Sequence, residues 1–171
     1  GLIVSVAALN RADARKGTLE RITMSSIALA TVADIPRLNE LLAILFTQEA
    51  DFRPDLSRQS AGLRQIIENP ALGHILVLRE DSAIVGMVNL LYTVSTALGD
   101  RVAILEDMII DPGYRGGGGG SRLLDGAIAF ARQQGCLRIT LLTDRTNSGA
   151  IRFYERHGFA LSEMVPLRLL L

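Results

Sequence analysis

Tryptophan is absent, cysteine occurs once and histidine twice among the 171 residues. A single cysteine, Cys136, excludes an internal disulfide and a cysteine-based zinc cage. His74 and His157 stand too far apart in the chain to suggest a metal centre, so no metal is expected. Charge of one sign is not in excess either: 18 Lys and Arg balance 18 Asp and Glu. With no bulk field, and no basic run interleaved with aromatics, nucleic acid is not expected as a partner. No apolar run approaches the roughly 18 residues a membrane span requires. A cytoplasmic setting without a membrane partner is therefore expected. What the chain has in quantity is hydrophobic side chains, 49% of the total, enough for one packed α/β domain with a sizeable core.

Residues 1–23 read apart from the rest. Leu2 to Leu9 is a short apolar stretch with no basic region before it, which argues against a signal peptide. Either Met24 is the natural start or the segment is an additional element; no function is assigned to it. The domain proper is expected over residues 24–171.

Periodicity divides that domain. Residues 26–32 read as a strand, and Asp34 and Pro36 open a helix with Leu38, Leu41, Leu42 and Leu45 on one stripe. Thr47 to Leu56 reads as a polar loop. Ser57 is expected to cap a second helix that Asn69-Pro70 ends. Strands at 74–79 and 83–93 form a hairpin about Asp81-Ser82, and 102–111 is a further strand. A helix over about 120–134 stops at Gly135. A buried strand at 137–143, a helix at about 148–157 and two short tail strands, 159–163 and 165–170, complete the reading. The expected fold is a single-domain mixed, mostly antiparallel α/β sheet with helices on both faces.

Between a strand and a helix lies Arg115-Gly116-Gly117-Gly118-Gly119-Gly120-Ser121. Residues without side chains let several backbone N–H groups converge at the positive end of a helix dipole, an arrangement that favours phosphate or pyrophosphate. A merely flexible turn would need neither the arginine before it nor the amphipathic helix after it. Register narrows the ligand. The dinucleotide pattern G-x-G-x-x-G fails, since it meets Ser121 or Leu123 where glycine is required, and a P-loop lysine is missing.

The pattern that fits is Arg-x-x-Gly-x-Gly at Arg115, Gly118 and Gly120, after Ile109-Ile110-Asp111-Pro112 and before Arg122-Leu123-Leu124. It resembles the acetyl-CoA-binding motif of the GNAT superfamily of N-acetyltransferases. A second segment, Asn147-Ser148-Gly149-Ala150 followed by Phe153-Tyr154-Glu155 and Gly158-Phe159, is similar to that superfamily's later motif, where a helix carries a catalytic tyrosine. Leu105-Glu106-Asp107 and Tyr114-Arg115-Gly116 most resemble the diamine acetyltransferases. The resemblance spans residue 26 to the end. It implies acetyl-CoA as cosubstrate, held by the backbone of Met108, Ile109 and Ile110, by Arg115, Gly116, Gly117, Gly118, Gly119, Gly120 and Ser121, and by Asn147. It also implies Tyr154 as the acid that protonates the departing thiolate, and a homodimer. Members usually carry a long side chain at the position of Gly117 and a branched apolar one at Gly119. Glycine at both implies lost core packing and a less rigid loop.

Acetyl transfer to an amine needs a deprotonated nucleophile. An alkylamine of pKa near 10.4 lies about 3.4 units from neutrality, roughly 4.6 kcal/mol of missing free base. A positioned carboxylate can remove that proton. Glu106, in the strand leading into the glycine loop, is the candidate. Asp107, its neighbour, is expected on the opposite face of the strand. Cys136, His74 and His157 read as structural, His74 without an evident partner. Glu49, Asp51 and Asp55 read as a solvated loop. The function these residues support is transfer of acetyl from acetyl-CoA to a small-molecule or peptide amine in a ternary complex. The alternative is a non-catalytic acyl-CoA-binding sensor, and free thiol released with a panel of amines separates the two.

Overall fold

The computed structural model describes residues 24–47 and 55–171. Contacts divide the chain into two compact units, Gly1–Leu141 and Leu142–Leu171. In the first, β1 (Ser25–Leu29), α1 (Ile35–Thr47), α2 (Leu56–Glu68), β2 (Gly73–Glu80), β3 (Ala83–Ser95), β4 (Asp100–Ile110), α3 (Gly119–Gln133) and β5 (Ile139–Leu141) follow in order. The five strands lie in chain order across one sheet. All neighbours are antiparallel except β4 and β5, which α3 joins as a parallel pair.

The pleat sends alternate residues of each strand to opposite faces, and both faces are covered. On one, Ile35, Leu38, Leu41 and Leu42 of α1 and Leu63 of α2 form a cluster with Ile75, Val77, Ile84, Met87 and Ile109 of the sheet. The helical leucine stripe read from the sequence is therefore the buried one. On the other, α3 buries Leu123, Leu124, Ala127 and Ala131. Gly126 lets α3 approach β1 closely, because a Cβ there would stand 3.1 Å from Cγ1 of Ile27.

Several expectations change. The first strand ends at Leu29, and a 3-10 turn over Val32–Asp34 follows. Asp34 does not open α1. Its carboxylate reaches back to the Thr31 backbone N–H and hydroxyl and pairs with Arg79. The cap of α2 is Asp55, not Ser57: one carboxylate oxygen accepts from the Ser57 and Arg58 amides at 3.0 and 3.1 Å. A carboxylate two residues upstream reaches both orphan amides, which a serine inside the helix cannot do. β5 is shorter than expected and only half-buried, as suits an edge strand. His74 has partners, the Tyr92 hydroxyl at 2.8 Å and the edge of the Phe130 ring.

The second unit holds α4 (Ser148–Glu155). The two tail strands expected at 159–163 and 165–170 are not formed: no strand occurs after Leu141 among the described residues. The tail is apolar but solvent-exposed, with Leu167, Leu169 and Leu170 all more than four-fifths accessible. Apolar alternation makes a strand only where a ladder partner accepts it. Residues 1–23, Glu49 and Asp51 lie outside the described residues.

The Asp55 cap gives a test. Asp55→Ala should lower unfolding free energy by about 1 kcal/mol, measured by urea denaturation. Ser57→Ala should leave it within about 0.5 kcal/mol. Equal losses would contradict the assigned cap.

Candidate functional site

β4 is irregular where the sequence places its acidic pair. Met87 pairs with Ile109 and Asn89 with Glu106, so one residue of β3 faces two of β4, Asp107 and Met108. This is a β-bulge, and Asp107 takes φ 51°, the left-handed position such a bulge usually gives to glycine. Aspartate is among the few side chains that tolerate it. The bulge alters the expected geometry. Asn89 donates from its Nδ2 to Asp107 at 2.6 Å, and Asn89 is also the cross-strand partner of Glu106. Cross-strand partners share a face, so both carboxylates come to one face instead of alternating. Glu106 is exposed and Asp107 half-buried.

The bulge also marks where the sheet opens. The β4–β5 ladder pairs Ala103 with Ile139, Ile104 with Thr140 and Leu105 with Leu141, and goes no further. The stretch from Glu106 to Ile110, which includes the Met108, Ile109 and Ile110 backbone assigned to the coenzyme arm, lies beyond that ladder. It leads directly into the glycine loop. Asp111 starts the turn there, accepting from the Gly113 amide at 2.9 Å and pairing with Arg37 of α1. The Arg37 guanidinium and the Gly113 amide together hold the Asp111 carboxyl below its ordinary value. Arg115 donates from Nε to the Ile110 carbonyl at 3.1 Å.

In the loop, Gly116 and Gly118 have φ of 85° and 75°, which branched or bulky side chains would strain. Gly118 caps α3, so the amides of Gly119, Gly120 and Ser121 open the helix without acceptors inside it. The anticipated loss of packing at Gly119 is not found. Gly119 is buried, and a Cβ there would stand 3.0 Å from Leu78 Cδ2 and 3.9 Å from Ile110 Cδ1. These two side chains occupy the space a branched residue would need. Nor is the loop unbraced. Arg122 donates to the Gly117 carbonyl at 2.8 Å and to Glu80 of β2 at 2.7 Å. Because the peptide is planar and trans, a Gly117 carbonyl held toward Arg122 directs the Gly118 N–H the opposite way. A Cβ added at Gly117 would meet nothing within 4 Å, so this part of the loop is open.

Neither Arg122 nor Asn89 stood out in the sequence. Each acts through a partner distant in the chain, Glu80 and Asp107 respectively, and no local spacing signals that.

In the second unit, the Asn147 side chain accepts from the Ala150 amide at 3.0 Å and caps α4. Tyr154 packs edge-on against Phe153 and Phe159, with centroids 5.2 and 5.7 Å away. Burial pushes its phenol above the ordinary value, so it stays protonated at neutral pH. His157 places Nδ1 2.8 Å from the Phe153 carbonyl, at the end of the helix. Cys136 is a half-buried thiol whose pKa burial raises, in keeping with a packing role. Among the described residues no group of three or more His, Cys, Asp or Glu is arranged to hold a metal. No helix among them is long and apolar enough to cross a membrane.

Comparison with known proteins bears on the family and the fold. The family model described as "Acetyltransferase (GNAT) family" matches residues 36–159. An uncharacterised N-acetyltransferase of Bacillus subtilis (strain 168), YhfO, is 34% identical over 121 residues, 69% of this chain and 80% of that protein. The glucosamine 6-phosphate N-acetyltransferase of Trypanosoma brucei brucei is 33% identical over 81 residues, 47% of this chain and 53% of the other. A predicted acetyltransferase from Clostridium acetobutylicum, crystallised with acetyl-CoA, shares the fold with a TM-score of 0.70 at 18% identity, covering 85% of this chain and 96% of that one.

The open position at Gly117 allows charge to be tested without crowding. Gly117→Asp should weaken acetyl-CoA binding and Gly117→Lys should tighten it, each by about 1 kcal/mol at low salt. Isothermal titration calorimetry reads both. Shifts of the same sign, or none, would remove the pyrophosphate from this loop.

Proposed function

Because the chain belongs to the acetyltransferase (GNAT) family, we propose that it transfers acetyl from acetyl-CoA to a primary amine by direct attack in a ternary complex. The observation that carries this reading is the order of features along β4: a ladder to β5 that stops at Leu105, a carboxylate pair at the bulge, and a helix-opening glycine loop. An extended arm with a pyrophosphate at one end fits that order. In this reading the backbone of Met108, Ile109 and Ile110 holds the pantetheine arm. Arg115 and the amides of residues 116–121 hold the pyrophosphate. Asn147 adds the amide N–H groups that its capping oxygen does not use.

Glu106, exposed and beside the end of the ladder, takes the proton from the incoming ammonium, directly or through water. The amine then attacks the thioester carbon, and a backbone N–H of the bulged strand stabilises the oxyanion. As the carbon–sulfur bond breaks, Tyr154 gives its proton to the thiolate, and the second proton leaving the attacking nitrogen restores the phenol as the amide forms. Support for Tyr154 comes from its own unit: a motif position on α4, and a phenol that carries its proton at neutral pH. The braced loop, and the activity named for the relatives, favour an enzyme over a non-catalytic acyl-CoA sensor. The acceptor is a small-molecule or peptide amine; the sugar amine in the trypanosome relative's name is one such class. A cytoplasmic enzyme acting as a homodimer through its exposed apolar tail completes the proposal. Light scattering that returns only an 18.5 kDa species at high concentration would remove the dimer.

The catalytic pair is tested by turnover with an amine panel. Glu106→Gln should keep acetyl-CoA affinity but lose kcat/KM at neutral pH, recovering in part at alkaline pH where solvent supplies the free amine. Tyr154→Phe should retain binding while kcat falls by about 10²–10⁴-fold. A pH-independent loss in the first, or wild-type kcat in the second, would reassign the residue concerned.

A further inference from the structure

Asn89 sits where a sheet ordinarily places an aliphatic side chain. It is 2% exposed, with Ile75 as its partner on β2 and Glu106 as its partner on β4. Its Oδ1 is buried without a hydrogen-bond partner among the described residues. A buried amide left half-satisfied is unfavourable, and a leucine of similar size would avoid the cost. The other half of the amide makes one short hydrogen bond, to Asp107. Asp107 is itself unfavourably placed, at a left-handed φ in mid-strand. Two locally unfavourable residues therefore meet at a single hydrogen bond, at the end of the β4–β5 ladder. Local rules broken together in this way mark function more often than stability.

We propose that Asn89 is a positioning residue, which fixes the Asp107 carboxylate on the same face as Glu106 so that the two form an anionic platform for a cationic acceptor amine. The proposal rests on the transferase reading and extends it to substrate class. An amide N–H donor stabilises an ionised carboxylate and restricts its rotation. Held in this way, the Asp107 carboxylate keeps a fixed place beside Glu106. Two adjacent carboxylates attract an ammonium more strongly than either alone. Glu106 is then able to accept the proton while Asp107 retains the charge that keeps the acceptor bound. Asn89 does not touch the acceptor; its effect passes through Asp107.

A double-mutant cycle on the full chain tests this. Acetyl transfer to the best acceptor of the amine panel is measured for wild type, Asn89→Leu, Asp107→Asn and the double variant. Thermal unfolding and acetyl-CoA affinity are followed alongside. Asn89→Leu should unfold at or above the wild-type midpoint and bind acetyl-CoA with little change. Its KM for the amine should rise about tenfold or more, with a smaller effect on kcat. The double variant should be no worse than Asp107→Asn, since both substitutions break one device. Additive losses, or an unchanged KM in Asn89→Leu, would overturn the assignment while leaving the transferase reading intact. If no amine reacts with the wild type, the transferase reading fails by itself. The positioning claim is then decided by the carboxyl carbon resonance of Asp107, titrated in a Glu106→Gln background to remove the adjacent charge. Its midpoint should move to higher pH in Asn89→Leu, because the donor that favours ionisation is gone. An unmoved midpoint would overturn the proposal.

Discussion

The extra residue in β4 governs most of what surrounds the candidate site. Without it the strand would continue to alternate, and Glu106 and Asp107 would face opposite sides of the sheet. With it, both acidic groups lie on the face of Asn89, and the parallel ladder to β5 has already ended at Leu105. The strand's next five residues then run toward the glycine loop along an edge that β5 does not pair. Asp107 sustains this geometry by accepting a left-handed backbone, and the amide of Asn89 meets its carboxylate. One local insertion thus gathers the charge just beyond the point where the ladder to β5 ends.

The loop beyond it combines openness with support from behind. Glycine at 116 and 118 permits the left-handed turns, and glycine at 117 leaves the outside open. Firmness comes from side chains elsewhere in the fold. Arg122 ties the Gly117 carbonyl to Glu80 of β2, Leu78 fills the space beside Gly119, and Arg37 ties Asp111 to α1 and to the Ile84 carbonyl. A run of five glycines would ordinarily be costly to order. Here the ordering is imposed from three neighbouring elements rather than by the run's own residues.

Much of this architecture is legible in the sequence because its causes are local. The leucine stripes of α1 and α3, the hairpin at Asp81-Ser82 and the stop at Gly135 follow from periodicity and turn chemistry, and each lies within a residue or two of its observed place. The loop is recognisable for the same reason, as glycines between an arginine and an amphipathic helix. The features that escape are those decided by a distant partner. The adjacent acids of Leu105-Glu106-Asp107-Met108 interrupt any alternation, but only the register with β3 shows that an extra residue is the cause. The cap at Asp55 depends on where α2 actually begins. The tail shows the opposite error: its alternation is sufficient for a strand, but a strand also requires a ladder beside it.

The strand order has a consequence for how the sheet holds together. The ladders among β2, β3 and β4 join strands that short turns connect. Such pairings close small loops and are reached early and cheaply. The β4–β5 pairing is different: it closes only across the whole of α3 and comprises three register pairs, fewer than any other ladder of the sheet. Those few bonds form only once the chain has spanned the glycine loop and α3. That margin is also the one bordering the coenzyme's proposed path. A ligand that bound along β4 only when that margin is ordered would stabilise it in step with its own occupancy.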